Sequence, residues 1–131
     1  AYGNQQYDSD DYYHDGLTLV EFFHSDCKYC KDMVPTYNSL YENYSGVLNG
    51  FFSIGGYNLA GKVDKAADLR EFQEHHDSPW PHLFDPESKL MREYGAGSFP
   101  SLYFIKDNKI IEGPKGDATY DELSQLVEKH T

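Results

Sequence analysis

The chain has 131 residues, enough for one domain with a sizeable core, and its 11 basic against 22 acidic side chains give a net charge of −11. That balance speaks against nucleic-acid binding, which needs clustered Lys and Arg, and suits a soluble protein with neutral or basic partners. No apolar run approaches the roughly 20 residues of a membrane helix, so no membrane insertion of the mature chain is expected.

Residues 1–16 contain no Leu, Ile, Val, Phe or Met and carry Asp8, Asp10, Asp11 and Asp15. This predicts an acidic, Tyr-rich, loosely packed leader ahead of a domain spanning residues 17–131. Residues 17–23 (LTLVEFF) predict a buried strand by their apolar content. After the loop His24-Ser25-Asp26, residues Cys30, Met33, Val34, Tyr37, Leu40, Tyr41 and Tyr44 recur at helical spacing. Pro35 should kink that helix, and Ser45-Gly46 should end it. Residues 50–59 read as a second strand, disrupted at Gly55-Gly56, and residues 63–76 as a helix with Ala66, Leu69 and Phe72 inward. Asp77 to Pro81 breaks it, and His82–Phe84 is a short extended piece. Asp85 should cap a helix that has Pro86 at its first position and runs to Tyr94, where Gly95 stops it. Ser101–Lys106 and residues 109–112 predict a hairpin around Asp107-Asn108, residues 113–116 a loop, and residues 118–130 a last amphipathic helix. In that helix Tyr120, Leu123, Leu126 and Val127 face inward. The order β-α-β-α-α-β-β-α predicts an α/β fold with parallel first strands and an antiparallel hairpin at one edge.

Cys27-Lys28-Tyr29-Cys30 holds the two cysteines of the chain. A disulfide closing so short a loop constrains the unfolded chain by only roughly 2 kcal/mol, which makes it a poor staple. Two thiols alone also make a poor zinc site, so neither a metal nor a cofactor is expected. The chemistry that remains is exchange of electrons with other thiols. Cys27 should sit exposed at a helix N-terminus, where unpaired N–H groups and the dipole stabilise a thiolate. Cys30, deeper in the helix, would resolve the mixed disulfide. Lys28 would help the Cys27 thiolate and Asp26 would oppose it. His24 would help if protonated, the alternative being a solvent-facing loop histidine. Resolution needs a base, and Glu21 interrupts an otherwise apolar strand, where burial brings a carboxyl towards neutrality; the alternative is a half-exposed strand-end Glu. Tyr29 and Trp80 are candidate hydrophobic rim residues, ordinary packing being the equal alternative for each. His75-His76-Asp77 reads as a polar helix end and Asn43-Tyr44-Ser45 as a chance match to a glycosylation sequon. Gly95-Ala96-Gly97 follows a helix and is not a phosphate loop.

Three motifs resemble the thioredoxin superfamily: Cys27-x-x-Cys30 at a strand-to-helix junction, Pro35 five residues later, and Ser98-Phe99-Pro100 leading into a strand. The run WPHLFDPESKLMREYGAGSFPSLYFI, preceded by an extra helix, is similar to the TlpA/ResA-like branch, and the likeness covers most of residues 17–130. The resemblance implies a thioredoxin fold: a central mixed β-sheet flanked by helices, with an extra helical insertion before the cis-proline strand. It implies a protein thiol–disulfide oxidoreductase, reducing disulfides of other proteins, with Cys27, Cys30, Glu21 and Pro100 catalytic. The Phe99 backbone would pair with a substrate strand beside Tyr29. Partners would be protein thiols and disulfides and a redox partner protein, in an extracytoplasmic (periplasmic or secreted) setting. Asp26 departs from the Trp usual at its position, and Lys28-Tyr29 is no subfamily's signature. Two other readings stand: a redox-sensing or binding module on the same fold, and a DsbA-like oxidase running the same chemistry at a higher potential.

Overall fold

β1 (Leu17–Phe22) is the middle strand of a five-stranded sheet and is wholly buried. The structure is a computed structural model that describes residues 16–131, so the expected leader lies outside the described residues except for Gly16. On one side β1 pairs parallel with β2 (Leu48–Gly55), which pairs parallel with β5 (His82–Phe84). On the other side it pairs antiparallel with β6 (Ser101–Lys106), which turns back into β7 (Lys109–Lys115). The sheet order is β5-β2-β1-β6-β7. Asp107 and Asn108 both take positive φ (55° and 64°), as the two-residue hairpin turn requires.

Strand alternation divides the core. Leu17 and Leu19 join Phe51, Leu102 and Phe104 under α1 (Lys28–Tyr44) and α4 (Tyr120–His130), which contribute Met33, Tyr37, Leu40, Leu123 and Val127. Val20, Phe22, Phe52, Ile54, Tyr103 and Ile105 form the opposite layer, covered by Leu90, Met91 and Tyr94 of α3 (Lys89–Tyr94). α2 (Ala66–His76) packs beside β5 and brings Leu69 and Phe72 against Phe23, Cys27, Cys30 and Val34. α1 is one continuous helix that includes Pro35.

The structure corrects the sequence reading in four places. The second strand ends at Gly55, because Gly56 takes φ +113° and a side chain there would meet the Phe84 ring at 2.8 Å. The residues beyond form a separate hairpin, β3 (Asn58–Leu59) with β4 (Lys62–Val63), turning through Ala60 and Gly61 at positive φ. Val63 is therefore a strand residue, and Ala66 at the start of α2 is exposed. The helix expected from Pro86 is broken, since Glu87 and Ser88 take positive φ (59° and 56°), and α3 begins only at Lys89. Asp85 supports it from a distance, its buried carboxylate accepting from the Leu90 and Met91 N–H groups at 3.0 and 3.1 Å. Finally, β7 runs through Gly113-Pro114 to Lys115, where a loop was expected.

Candidate active site

Cys27 is the N-cap of α1: its backbone is extended, and its Sγ accepts the Cys30 N–H at 3.1 Å. A sulfur there meets unpaired N–H groups and the positive end of the helix dipole. No disulfide joins the two cysteines. The sequence reading expected Cys27 to be exposed, but it is only 5% accessible, because Phe99 and Leu59 pack over the cluster that holds it. Its thiol donates to the Phe99 carbonyl at 3.6 Å. Cys30 is fully buried, and burial, reinforced by the nearby Glu21 charge and the contact with Cys27, pushes its thiol far above the usual range.

The period of the strand sends Glu21 to the same face as Leu17 and Leu19, the face under α1. Glu21 is 4% exposed, so it is no strand-end carboxylate at the surface. Burial raises its pKa from 4.5 to about 8, partly offset by a hydrogen bond from Ser53. The parallel register sets Ser53 opposite Glu21, and the Ser53 hydroxyl donates to Glu21 Oε1 at 2.6 Å. Tyr37, on the buried face of α1, also feels the charges of Glu21 and Cys30, which add to burial in raising its pKa; its buried hydroxyl has no hydrogen-bond partner among the described residues.

In front of the cysteines, the loop is clamped to the β3–β4 hairpin. Asp64, with no side-chain exposure, accepts from the Ser25 N–H at 2.7 Å and the Ser25 hydroxyl at 2.6 Å. His24 is fully buried, against the solvent-facing alternative given above. Its Nδ1 accepts the Asp26 N–H at 3.0 Å, so its Nε2 carries the proton and donates to the Lys62 carbonyl at 3.0 Å. Both ring nitrogens are thereby engaged in holding the loop. Lys28 and Asp26 are likewise occupied. Lys28 pairs with Asp32 at 3.2 Å and Asp26 with Lys62 at 3.1 Å, where the hydrogen bond holds the Asp26 carboxyl below its usual range.

A groove of about 600 Å³ opens beside Cys27 and is walled by Tyr29, Tyr57, Leu59, Met91 and Phe99. Tyr29 is 61% exposed on its rim, and Tyr57 stacks on Phe99 with ring centres 5.7 Å apart. The Phe99–Pro100 peptide bond is cis, and Pro100 is buried at the entrance to β6. Trp80 is not a rim residue; it is 1% exposed in the core, donating its indole N–H to Ser53 Oγ at 2.8 Å. His75 and His76 close α2 as a polar end, and no group of three metal-ligating side chains gathers among the described residues. Asn43 lies in α1 with its amide donating to the Tyr120 hydroxyl at 2.7 Å. Gly95 takes φ +72° as the C-cap of α3.

Sequence reasoning missed Ser53, Asp64 and Tyr57. Ser53 carried a faint mark, being the polar break in the apolar run FFSI, but its meaning depends on which strand lies beside it. Asp64 carried none, since an Asp in the charged run Lys62-Val63-Asp64-Lys65 reads as surface.

A family model described as the AhpC/TSA family matches residues 2–113. The chain is 27% identical over 114 residues to the thiol-disulfide oxidoreductase ResA of Bacillus thuringiensis subsp. konkukian, covering 86% of this chain and 62% of that protein. It is 28% identical over 116 residues to a thioredoxin of Chlamydia caviae, covering 88% of this chain and 84% of that one. Among solved structures it resembles the pneumococcal exposed lipoprotein thioredoxin (Etrx1) of Streptococcus pneumoniae, with a TM-score of 0.76 at 22% identity over 92% of this chain and 88% of that one. The fold is thioredoxin-like, and the chain spans about 62% of the length of the ResA relatives it matches.

Proposed function

The chain belongs to the AhpC/TSA family, and on that premise we propose that it is a thiol–disulfide oxidoreductase that reduces disulfides of other proteins, with residues 17–131 as the working domain. The observation that carries this reading is the Cys27 sulfur capping α1, accepting the Cys30 N–H at 3.1 Å, with a fully buried Cys30 and a buried Glu21 behind it. The Cys27 thiolate attacks one sulfur of the substrate disulfide; a Cys27–substrate disulfide forms, and the other substrate sulfur leaves as a thiolate that takes up a proton. Cys30 gives its proton to the Glu21 carboxylate and attacks the Cys27 sulfur, so that the Cys27–Cys30 disulfide forms and the second substrate thiolate leaves. The substrate gains two electrons, the dithiol loses two, and a reduced redox partner protein restores them.

Phe99 and Pro100 present the backbone edge along which the substrate strand lies, and Tyr29 is an apolar contact on the groove rim. The apolar part of that groove's wall supports an extended substrate segment with apolar side chains near its cysteine. The reducing direction is supported by the surroundings of the cysteines. A strong oxidant stabilises its thiolate, whereas here Lys28 and Lys62 are engaged by Asp32 and Asp26, the His24 ring is taken up by the Asp26 N–H and the Lys62 carbonyl, and the Cys30 thiolate is disfavoured by burial. An extracytoplasmic setting is supported by the description of the Streptococcus pneumoniae neighbour as an exposed lipoprotein. No helix among the described residues is long and apolar enough to cross a membrane.

Reduction of insulin disulfides tests the reading. Wild-type protein turns the assay over and Cys27→Ala does not; activity that persists in Cys27→Ala would sink the proposal. The reduction potential against glutathione tests the direction: a value near about −120 mV, typical of a strong oxidant, would make the protein an oxidase instead.

A further inference from the structure

Behind the cysteines runs a hydrogen-bond chain of fixed polarity. The Trp80 indole donates to Ser53 Oγ at 2.8 Å, and the Ser53 hydroxyl donates to Glu21 Oε1 at 2.6 Å. An indole N–H can only donate, so the Ser53 oxygen must accept from it, and the one proton of Ser53 is left for Glu21. A carboxyl proton on Oε1 would face the Ser53 proton head-on. The proton that Glu21 gains and loses therefore belongs on Oε2. The indole that sets this polarity is itself held rigidly. Phe51 packs on it with ring centres 4.4 Å apart and His82 stacks at 5.7 Å, while the Trp80 carbonyl accepts from Gln73 Nε2 and His82 Nδ1 at 2.9 Å each. The Ser53 N–H donates to the Pro81 carbonyl at 3.0 Å, which ties Ser53 to the segment that carries Trp80.

We propose that Ser53 and Trp80 are positioning residues of the redox centre: they lock one oxygen of Glu21 and direct its proton exchange with Cys30 to the other. The proposal rests on Glu21 being the base of the proposed reaction. The titratable groups around this network are Cys27, Cys30 and Tyr37 from α1 and His82 from β5, with Asp117 ahead of α4 acting on Tyr37. Burial lowers the His82 pKa to about 3, so His82 adds no charge near neutrality. A hydroxyl locked as a donor favours the carboxylate, so its loss should move the ionisation of Glu21 upward.

The chain has a single Trp, and it sits two hydrogen bonds from Glu21, so its emission reports on that ionisation. The test records two quantities against pH in the full chain: Trp80 emission, and the rate at which Cys30 resolves a preformed mixed disulfide on Cys27. Wild type should show one shared midpoint, and Glu21→Gln should abolish it in both. Ser53→Ala should raise the midpoint of the resolution step by about one pH unit, slowing that step about tenfold at neutral pH, and Ser53→Thr should restore it. Trp80→Phe, read by the kinetics alone, frees the Ser53 hydroxyl to accept and should shift the midpoint upward as well; it decides the matter if Ser53→Ala does not fold. A pH limb that survives in Glu21→Gln overturns both the base assignment and this proposal. A limb lost in Glu21→Gln but unmoved in Ser53→Ala, or in Trp80→Phe where that variant decides, overturns the proposal alone.

Discussion

The loop in front of Cys27 and the sheet behind Cys30 both carry ionisable side chains, but water reaches only part of the first. At the front surface, Asp26 and Lys62 meet at 3.1 Å with half of each side chain exposed. Water screens such a pair and entropy opposes holding it, so it adds little. One layer inward, Asp64 is fully buried and satisfies both the N–H and the hydroxyl of Ser25. Behind the cysteines, Glu21 is buried beside apolar strand residues and accepts from the Ser53 hydroxyl, and burial raises its pKa to about 8. Burial, rather than the number of charges, separates groups that tie the loop down from groups that move protons.

Breaking the rear region should have the largest effect. Cys30→Ala should halt turnover and leave Cys27 joined to substrate as a stable mixed disulfide, visible on a non-reducing gel. Glu21→Gln keeps the shape and removes the base, and should slow turnover by roughly 10²-fold while insulin reduction remains measurable.

The same region governs how stability depends on pH. The folded-state pKa of Glu21 is raised from 4.5 to about 8, so its contribution is fully present below pH 4.5 and lost as pH rises through 8. The folded-state pKa of His82 is depressed from 6.5 to about 3, so its contribution is present above pH 6.5 and lost as pH falls towards 3. The two slopes oppose each other between these limits and give a broad maximum at mildly acidic pH. Urea unfolding across pH should show Glu21→Gln flattening the alkaline limb and His82→Phe flattening the acid one.

Next in size is the clamp in front. Asp64→Ala leaves the two half-buried donors of Ser25 without their acceptor and should cost about 2 kcal/mol in urea unfolding. It should also slow attack by Cys27 on a model disulfide, because the loop that holds the N-cap loosens. The smallest effect belongs to the exposed pair. Lys62→Met should leave the unfolding midpoint and the turnover unchanged within error; a marked loss would erase the difference between the screened pair and the buried clamp.

Local features were legible in the sequence. The helix from Lys28 to Tyr44 followed from its apolar spacing, and Asp107-Asn108 marked its hairpin turn. Glu21 stood out because a carboxylate within an apolar strand is costly wherever the strand is buried. Trp80 stayed open between rim and core packing, because a single aromatic beside a proline gives no hint of whether it faces a groove or a core. His24 was misread for the same reason; its burial comes from the β3–β4 hairpin, which the reading of residues 50–59 as one strand did not contain. Nor does any spacing rule expose the positive φ of Glu87 and Ser88, which broke the expected helix.

From its sequence alone the chain was committed to an α/β order with two thiols at a strand-to-helix junction and an acid six residues upstream. These properties depend on the period of apolar residues and on separations of a few positions, which the backbone carries wherever it goes. Only the tertiary structure decided that Ser53 lies opposite Glu21, that Trp80 orients Ser53, that Asp64 holds Ser25, and that Cys27 is covered. Those depend on strand register and on burial, and both are set by which distant segments share a face of the sheet.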